Sequence, residues 1–285
     1  MKISEFIWDE IVHGGHWGSL SAPAIALSFM YIVGDIRWEL LVIVYLATQA
    51  VYTYNHYKEM EKDKLSNAPR VRHLRRYKKY LPLITACYSI GFFSLLFYFA
   101  NKPALYLGSF IFLLGILFTR HGKHITTNIP AFKTIYTSLC WGMIPIFITV
   151  YCNLPFDLSI FLLSVFVFLR FTIDTIFFDI KDIETDKRQG LLTMPIIFGS
   201  RERCSNFLHI INLLSILPIM AGIITGILPA FATLITLTAI YTFIYLEKSK
   251  QRGVDILYIS YILVDGEYIF WPLYLLVGRI IFNLY

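Results

Sequence analysis

Nine apolar stretches, each close to the length that crosses a lipid bilayer, occupy most of the chain and leave it very few possible folds. They run Trp17–Gly34, Trp38–Tyr54, Tyr80–Ala100, Ala104–Thr119, Lys133–Cys152, Phe156–Thr172, Asn206–Leu228, Ala230–Leu246 and Ile256–Phe282. A hydrocarbon core about 30 Å thick is spanned by roughly 20 residues, each rising about 1.5 Å along a helix. Inside lipid, every backbone donor and acceptor must be paired within the chain. The expectation is therefore an all-α, polytopic bundle forming one domain over residues 1–285. The last stretch contains Asp265, Gly266 and Glu267 and is expected to be kinked or broken, so eight or ten spans also fit the pattern. Composition agrees, with 57% hydrophobic and 15% charged residues and a mean hydropathy of +0.62. A soluble domain carries about 25% charged residues. A water-soluble fold would expose the apolar excess at about 25 cal/mol per Å².

Residues 1–16 mix Glu5, Asp9 and Glu10 with Phe6, Ile7 and Trp8, a pattern of an interfacial amphipathic helix rather than a cleaved signal. The four cysteines form no CxxC pair, and three fall within apolar stretches, where they read as small packing residues. Basic residues concentrate in alternate loops. Nine lie between Lys58 and Lys79, with others at Arg120 and Lys123, from Lys181 to Arg203, and from Lys248 to Arg252. The intervening connectors are short and poor in them. The positive-inside rule then puts the N-terminus and the even-numbered loops in the cytoplasm and the C-terminus outside, in an integral multi-pass protein. Anionic headgroups and an anionic substrate account for the net charge of +6, so no nucleic-acid partner is needed.

Acidic residues gather in two of those basic loops. Asn55, Glu59 and Asp63 recur every four residues after the second stretch. Each step of four turns about 40° on a helix, so the three share one sector. Asp179, Asp182 and Asp186 follow the sixth stretch at spacings of three and four, which predicts a second acidic helix face. Solvated loop acids would explain one such cluster. Two with matching period, each after the second span of a four-span half, point to a hard-cation site. Oxygen ligands of this kind suit Mg²⁺, which fills its shell with waters and substrate phosphates. Arg70, Lys181, Lys187 and Arg188 lie near enough in sequence to hold the charge of a diphosphate.

The two motifs resemble those of the UbiA superfamily of intramembrane prenyltransferases, NxxxDxxxD and DxxxD. The first is Asn55-xxx-Glu59-xxx-Asp63, with Glu at the middle position. The second is Asp182-xxx-Asp186, within a run from Asp179 through Gly190, Thr193 and Pro195 to Gly199 that matches the family's extended signature. Pro130-Ala-Phe-Lys133, leading to Trp141, is similar to a shorter family pattern. The run Ser66-Asn-Ala-Pro69-Arg70-Val71 departs from the family's N-x-P-x-R-P and leaves the acceptor class open. The resemblance implies two Mg²⁺ ions held by Asn55, Glu59, Asp63, Asp182 and Asp186, bridging a prenyl diphosphate whose tail lies in the bilayer. On the same resemblance, Asp179 is expected to act as a base or to orient a lysine, and Lys133 to add charge at the diphosphate or to contact a headgroup. Tyr54 and Tyr57 are candidates to shelter an allylic cation through cation–π attraction.

The expected activity is Mg²⁺-dependent transfer of a prenyl group to a hydrophobic or aromatic acceptor, a quinone precursor or a lipid. An intramembrane terpene cyclase would use the same motifs, and an ion-coupled transporter is the alternative from another class. Three remaining features have blander readings. His121 and His124 read as a surface loop, and Gly222-Ile-Ile-Thr-Gly226 as a helix-packing contact. Asp265 and Glu267 either line a polar cavity or mark a helix break near an interface.

Overall fold

The structure is a computed structural model that describes residues 3–283, and among these there is no strand. An amphipathic helix, α1 (Ile3–His13), leads in. The spans and their short companions are α2 (Ser21–Val33), α3 (Trp38–Glu59), α4 (Ala68–Leu74), α5 (Leu81–Phe99), α6 (Lys102–Leu117), α7 (Phe132–Tyr151) and α8 (Leu158–Lys181). They continue with α9 (Ile183–Gln189), α10 (Arg201–Ile224), α11 (Ala230–Ser249) and α12 (Ile256–Phe282). All nine apolar stretches are thus helical. Among the described residues, seven helical segments are long and apolar enough to cross a membrane. The other two stretches differ for physical reasons: α2 is only 13 residues long, and α3 carries Thr48, Gln49, Thr53, Asn55 and His56.

Side chains and prolines fix where the helices begin. Asp157 accepts from the backbone N–H groups of Ser159 and Ile160 at the start of α8, and Asn101 accepts from Ala104 N (2.8 Å) at the start of α6. Such caps satisfy amides that would otherwise face lipid. Proline interrupts spans by removing a donor: α7 breaks at Met143 ahead of Pro145, and α10 pauses at Ser215 and Ile216 ahead of Pro218.

Eight helices close a ring, each touching the next in the order α2, α3, α6, α7, α8, α10, α11, α12 and back to α2. Helix α5 packs outside against α3 and α6. The second half of α7 also reaches across to α2, so the ring is filled at that end by Phe29, Met30, Phe147 and Ile148. The opposite end, where the acidic motifs lie, stays open beneath α1 and α4. Glu10 holds α1 there: its Oε2 is 2.6 Å from His73 Nε2 and accepts from the Tyr77 hydroxyl at 2.6 Å. Ile3, Ile7 and Trp8 remain exposed on α1.

The break expected near Asp265 and Glu267 is present. Helix α12 passes through a π-helical stretch, Ile259–Val264, and a 3₁₀ turn, Glu267–Ile269. Glu267 is buried and faces Arg170 of α8, whose Nε and Nη2 lie 2.9 and 2.6 Å from its Oε1. Thr238 and Thr242 of α11 donate to the same carboxylate at 2.7 and 2.8 Å, and Arg170 donates to Asn212 of α10 at 2.6 Å. One buried ion pair therefore clasps four helices. Arg170 lies inside the sixth apolar stretch and carried no expectation.

Replacing Glu267 by Gln should leave Arg170 buried with an unmatched charge and lower stability by about 3–5 kcal/mol. The thermal midpoint in detergent reads this. Exchanging both partners for Arg170→Met and Glu267→Leu should restore most of the loss, and an unchanged midpoint in the Gln variant would refute a structural clasp.

Candidate active site

The open end of the ring encloses a cavity of about 280 Å³, lined by Asn55, Glu59 and Asp63 from one side and Asp182 from the other. Helix α3 runs through Glu59, and i→i−4 bonds carry the turn onward, from Asp63 N to Glu59 O (2.9 Å) and from Asn67 N to Asp63 O (2.8 Å). The first acidic face is therefore helical in pitch, as its spacing predicts.

The second differs from its expected single helix face. Helix α8 ends at Lys181, and Asp182 sits at the junction with φ −99° and ψ 3° before α9 begins. Asp179 turns toward α7, where Lys133 Nζ donates to its Oδ1. Asp182 accepts from Lys181 Nζ at 2.7 Å and looks into the cavity. Asp186 is buried on α9, outside the lining, and accepts from Thr193 Oγ1 at 3.1 Å. The chain reaches Thr193 through Gly190, whose φ of +66° closes α9 in the left-handed region. Beyond it, Leu192 O accepts from Ala131 N (2.9 Å) and Leu192 N donates to Thr126 O (3.1 Å). Those two bonds tie the signature loop to the start of α7, which brings Lys133 against Asp179.

Electrostatics at the cavity mouth are mixed. Burial opposes ionisation of Asp182, but the ammonium groups of Lys181 and Lys133 outweigh it and hold the carboxyl below its usual range. Burial pushes Asp186 up to about 6 against the pull of Lys133. Arg70 is 3.6 Å from Asp63 and donates to the Tyr261 hydroxyl, which in turn donates to Asn67 Oδ1. Its guanidinium also lies 4.8 Å from the centre of the Tyr261 ring.

Of the residues singled out in the sequence, Asn55, Glu59, Asp63, Arg70, Lys133, Lys181 and Asp182 line this cavity. Lys187 and Arg188 are exposed on α9, away from it. Tyr54 and Tyr57 also lie off the lining, and Lys58 Nζ sits 5.7 and 5.9 Å from their ring centres. Tyr52 lines it instead, being three residues before Asn55 on the same helix face. Asp174, Asp265 and His56 complete the polar wall. His121 and His124 are exposed. A second, apolar groove of about 130 Å³ continues inward past Val51, Tyr52, Gly115, Cys140 and Trp141, which line both spaces. It ends among Phe92, Phe112 and Phe147.

No three His, Cys, Asp or Glu side chains among the described residues are grouped closely enough to hold a metal by themselves. Two buried carboxylate oxygens, Asp179 Oδ2 and Asp182 Oδ1, have no hydrogen-bond partner among the described residues. Few protein carboxylates with spare oxygens match a Mg²⁺ site completed by waters and phosphate.

The profile of the UbiA prenyltransferase family matches residues 20–263, and the chain belongs to that family. Among curated proteins none matches. The apo structure of a UbiA homolog from Aeropyrum pernix K1 is similar, with a TM-score of 0.69 at 16% identity over 93% of this chain and 97% of that one. A UbiA homolog from Archaeoglobus fulgidus bound to DMAPP and Mg²⁺ superposes with a TM-score of 0.61 at 15% identity, covering 94% and 98%. A digeranylgeranylglyceryl phosphate synthase gives 0.60 at 15%, covering 97% and 99%.

Thr193→Val keeps the side-chain shape but removes the hydroxyl that supports buried Asp186. A bond to a carboxylate of this kind is worth about 1.5–3 kcal/mol. Thermal unfolding in detergent should fall by that amount, whereas Thr193→Ser should retain most of it.

Proposed function

We propose that this chain transfers a prenyl group from an allylic prenyl diphosphate, bound with Mg²⁺ at the cavity mouth, to a hydrophobic or aromatic acceptor. The observation that carries this reading is the continuity of one cavity. Carboxylates and cations gather at its mouth, and an apolar groove of the right character for an isoprenoid tail leads away from them. The residues present fit the metal. Asn55, Glu59 and Asp63 on one side and Asp182 on the other would hold Mg²⁺, using the spare oxygen of Asp182, whereas Asp186 is buried behind them on Thr193. When bound, Mg²⁺ neutralises charge on the diphosphate as it leaves.

The chain's own groups supply the rest. Arg70, Lys133 and Lys181 hold the diphosphate at the mouth, and Asp179 fixes Lys133 there. Tyr52 and Trp141 stand where the mouth meets the groove, so their ring faces shelter positive charge at the reacting carbon. Trp141 is itself held flat against Phe171, with ring centres 3.9 Å apart. The surrounding apolar ring excludes water, which would otherwise capture the cation. Acids embedded in spans would also suit an ion-coupled transporter. The family and the motif-lined mouth favour transfer.

The same reading sets orientation, with the N-terminus and both motif loops cytoplasmic and the C-terminus outside. A reporter active only in the cytoplasm should work when fused to the N-terminus and fail at the C-terminus. The reverse result would invert the topology.

Glu59 tests the metal role. Glu59→Asp keeps a carboxylate and should retain measurable Mg²⁺-dependent diphosphate release. Glu59→Gln removes the charge and should lose about a hundredfold or more, the scale of one preorganised electrostatic contact. Activity of the Gln variant equal to that of the native protein would take Glu59 out of the metal site. A matching fall in thermal stability would make it structural.

A further inference from the structure

Deeper in the cavity two carboxylates face the same space and have no part in the scheme above. Asp174 lies on α8 five residues before Asp179, so it is about 7.5 Å further from the motif loop by helix rise. It is 9% exposed and lines the cavity, with the Tyr268 hydroxyl beside it. Asp265 lines the cavity from α12, four residues beyond Tyr261. Tyr52 reaches this level from α3.

The space in front of them is kept open by Gly18. A Cβ there would stand 3.0 Å from Asp265 Oδ2 and 3.1 Å from Tyr52 Cε2. A third polar group joins the same wall. His56 is 8% exposed, lines the cavity, and its Nδ1 has no hydrogen-bond partner among the described residues.

Charge is distributed unevenly along this cavity. Its lysines and arginine are engaged at the mouth: Arg70 with Asp63 and Tyr261, Lys133 with Asp179, and Lys181 with Asp182. Neither Asp174 nor Asp265 forms an ion pair among the described residues. The mouth therefore suits an anion with its metal, whereas the deeper level offers oxygens that can accept hydrogen bonds but no cation to balance an anionic guest.

We propose that Asp174 and Asp265, with His56 and Tyr52, form the acceptor subsite, and that it takes an uncharged acceptor bearing hydroxyl groups, an alcohol or a phenol. This rests on the prenyl-transfer reading and narrows its acceptor class. Hydroxyl hydrogens satisfy the two carboxylates and the free His56 nitrogen. A carboxylate or phosphate on the acceptor would have to leave water for a buried space whose nearby cations are already paired at the mouth, and an unbalanced desolvated charge is a strong means of discrimination.

The test uses the full-length protein in lipid nanodiscs with Mg²⁺ and geranylgeranyl diphosphate. Acceptors come in matched pairs: 1,4-benzenediol against 4-hydroxybenzoate, and a long-chain 1-alkylglycerol against its 3-phosphate. Prenylated product and diphosphate release are measured separately. The neutral member of a pair should be prenylated at least about tenfold faster. Asp174→Asn and Asp265→Asn should raise its KM about twofold to tenfold, the loss expected for hydrogen bonds of ordinary strength. They should also narrow the discrimination against the charged partner. A merely misfolded variant would lower both rates without changing their ratio. Gly18→Ala, which crowds Asp265 and Tyr52, should raise acceptor KM in the same direction. Preference of the native protein for the charged acceptors, or an unchanged acceptor KM and ratio in the Asn variants, would overturn the subsite. Absence of Mg²⁺-dependent donor binding and diphosphate release with every acceptor would overturn the prenyl-transfer reading, and the subsite with it.

Discussion

A charged side chain inside a hydrocarbon slab persists when a group on another element takes up its charge, and that constraint organises this molecule. Arg170 on α8 is answered by Glu267 on α12, and Asp179 on α8 by Lys133 on α7. Arg70 of α4 meets Asp63 in the turn after α3 and Tyr261 of α12. Each neutralisation is also a cross-link between helices that apolar contacts alone would hold only loosely in register. Lipid tails are as apolar as leucine, so packing of Phe, Leu and Ile chooses among helix orientations weakly. Hydrogen-bonded charges choose sharply, because a misplaced one is left unpaired.

Much of this was legible in the sequence. The apolar stretches predict all nine helical segments, and the four-residue repeat of Asn55, Glu59 and Asp63 places them on one face that lines the cavity. What could not be read was which direction each helix turns that face. On α8 the cavity side is Asp174, Thr175, Phe178 and Lys181, a helical repeat one step round from Asp179. Lys133, 46 residues earlier, holds Asp179 on the other side. That contact depends on Ala131 and Leu192 meeting across two loops, which no local periodicity encodes. Tyr54 and Tyr57 lie off the lining for a simpler reason. Tyr54 points about 100° and Tyr57 about 200° away from Asn55, whereas Tyr52, three residues earlier, lies within about 60° of it, so the wheel favours Tyr52. Arg170 went unremarked because a single charge in an apolar run leaves the average hydropathy of a span high.

Departures from regular helix gather around the cavity. Asp182 lies at a break, Ala131 holds a left-handed φ of +57°, and α12 changes from α through π to 3₁₀ as it passes Tyr261 and Asp265. A π-helical turn is a poor choice for stability alone and is frequent at functional sites. Local consistency is relaxed here and upheld in the caps and prolines that start the surrounding helices.

The placement of Asp265 and Glu267 follows from their separation. Residues two apart on a helix point roughly 200° from each other, so no regular turn sends both into one space. Glu267 faces Arg170, Thr238 and Thr242, while Asp265 faces the cavity beside Gly18. The clasp thereby fixes the rotation of α12 about its own axis. A helix free to turn by one residue would carry Asp265 out of the cavity and leave Glu267 without Arg170. The paired Glu267 thus holds the Asp265 carboxyl toward the cavity, and a structural ion pair so sets the polarity of a cavity wall it does not touch.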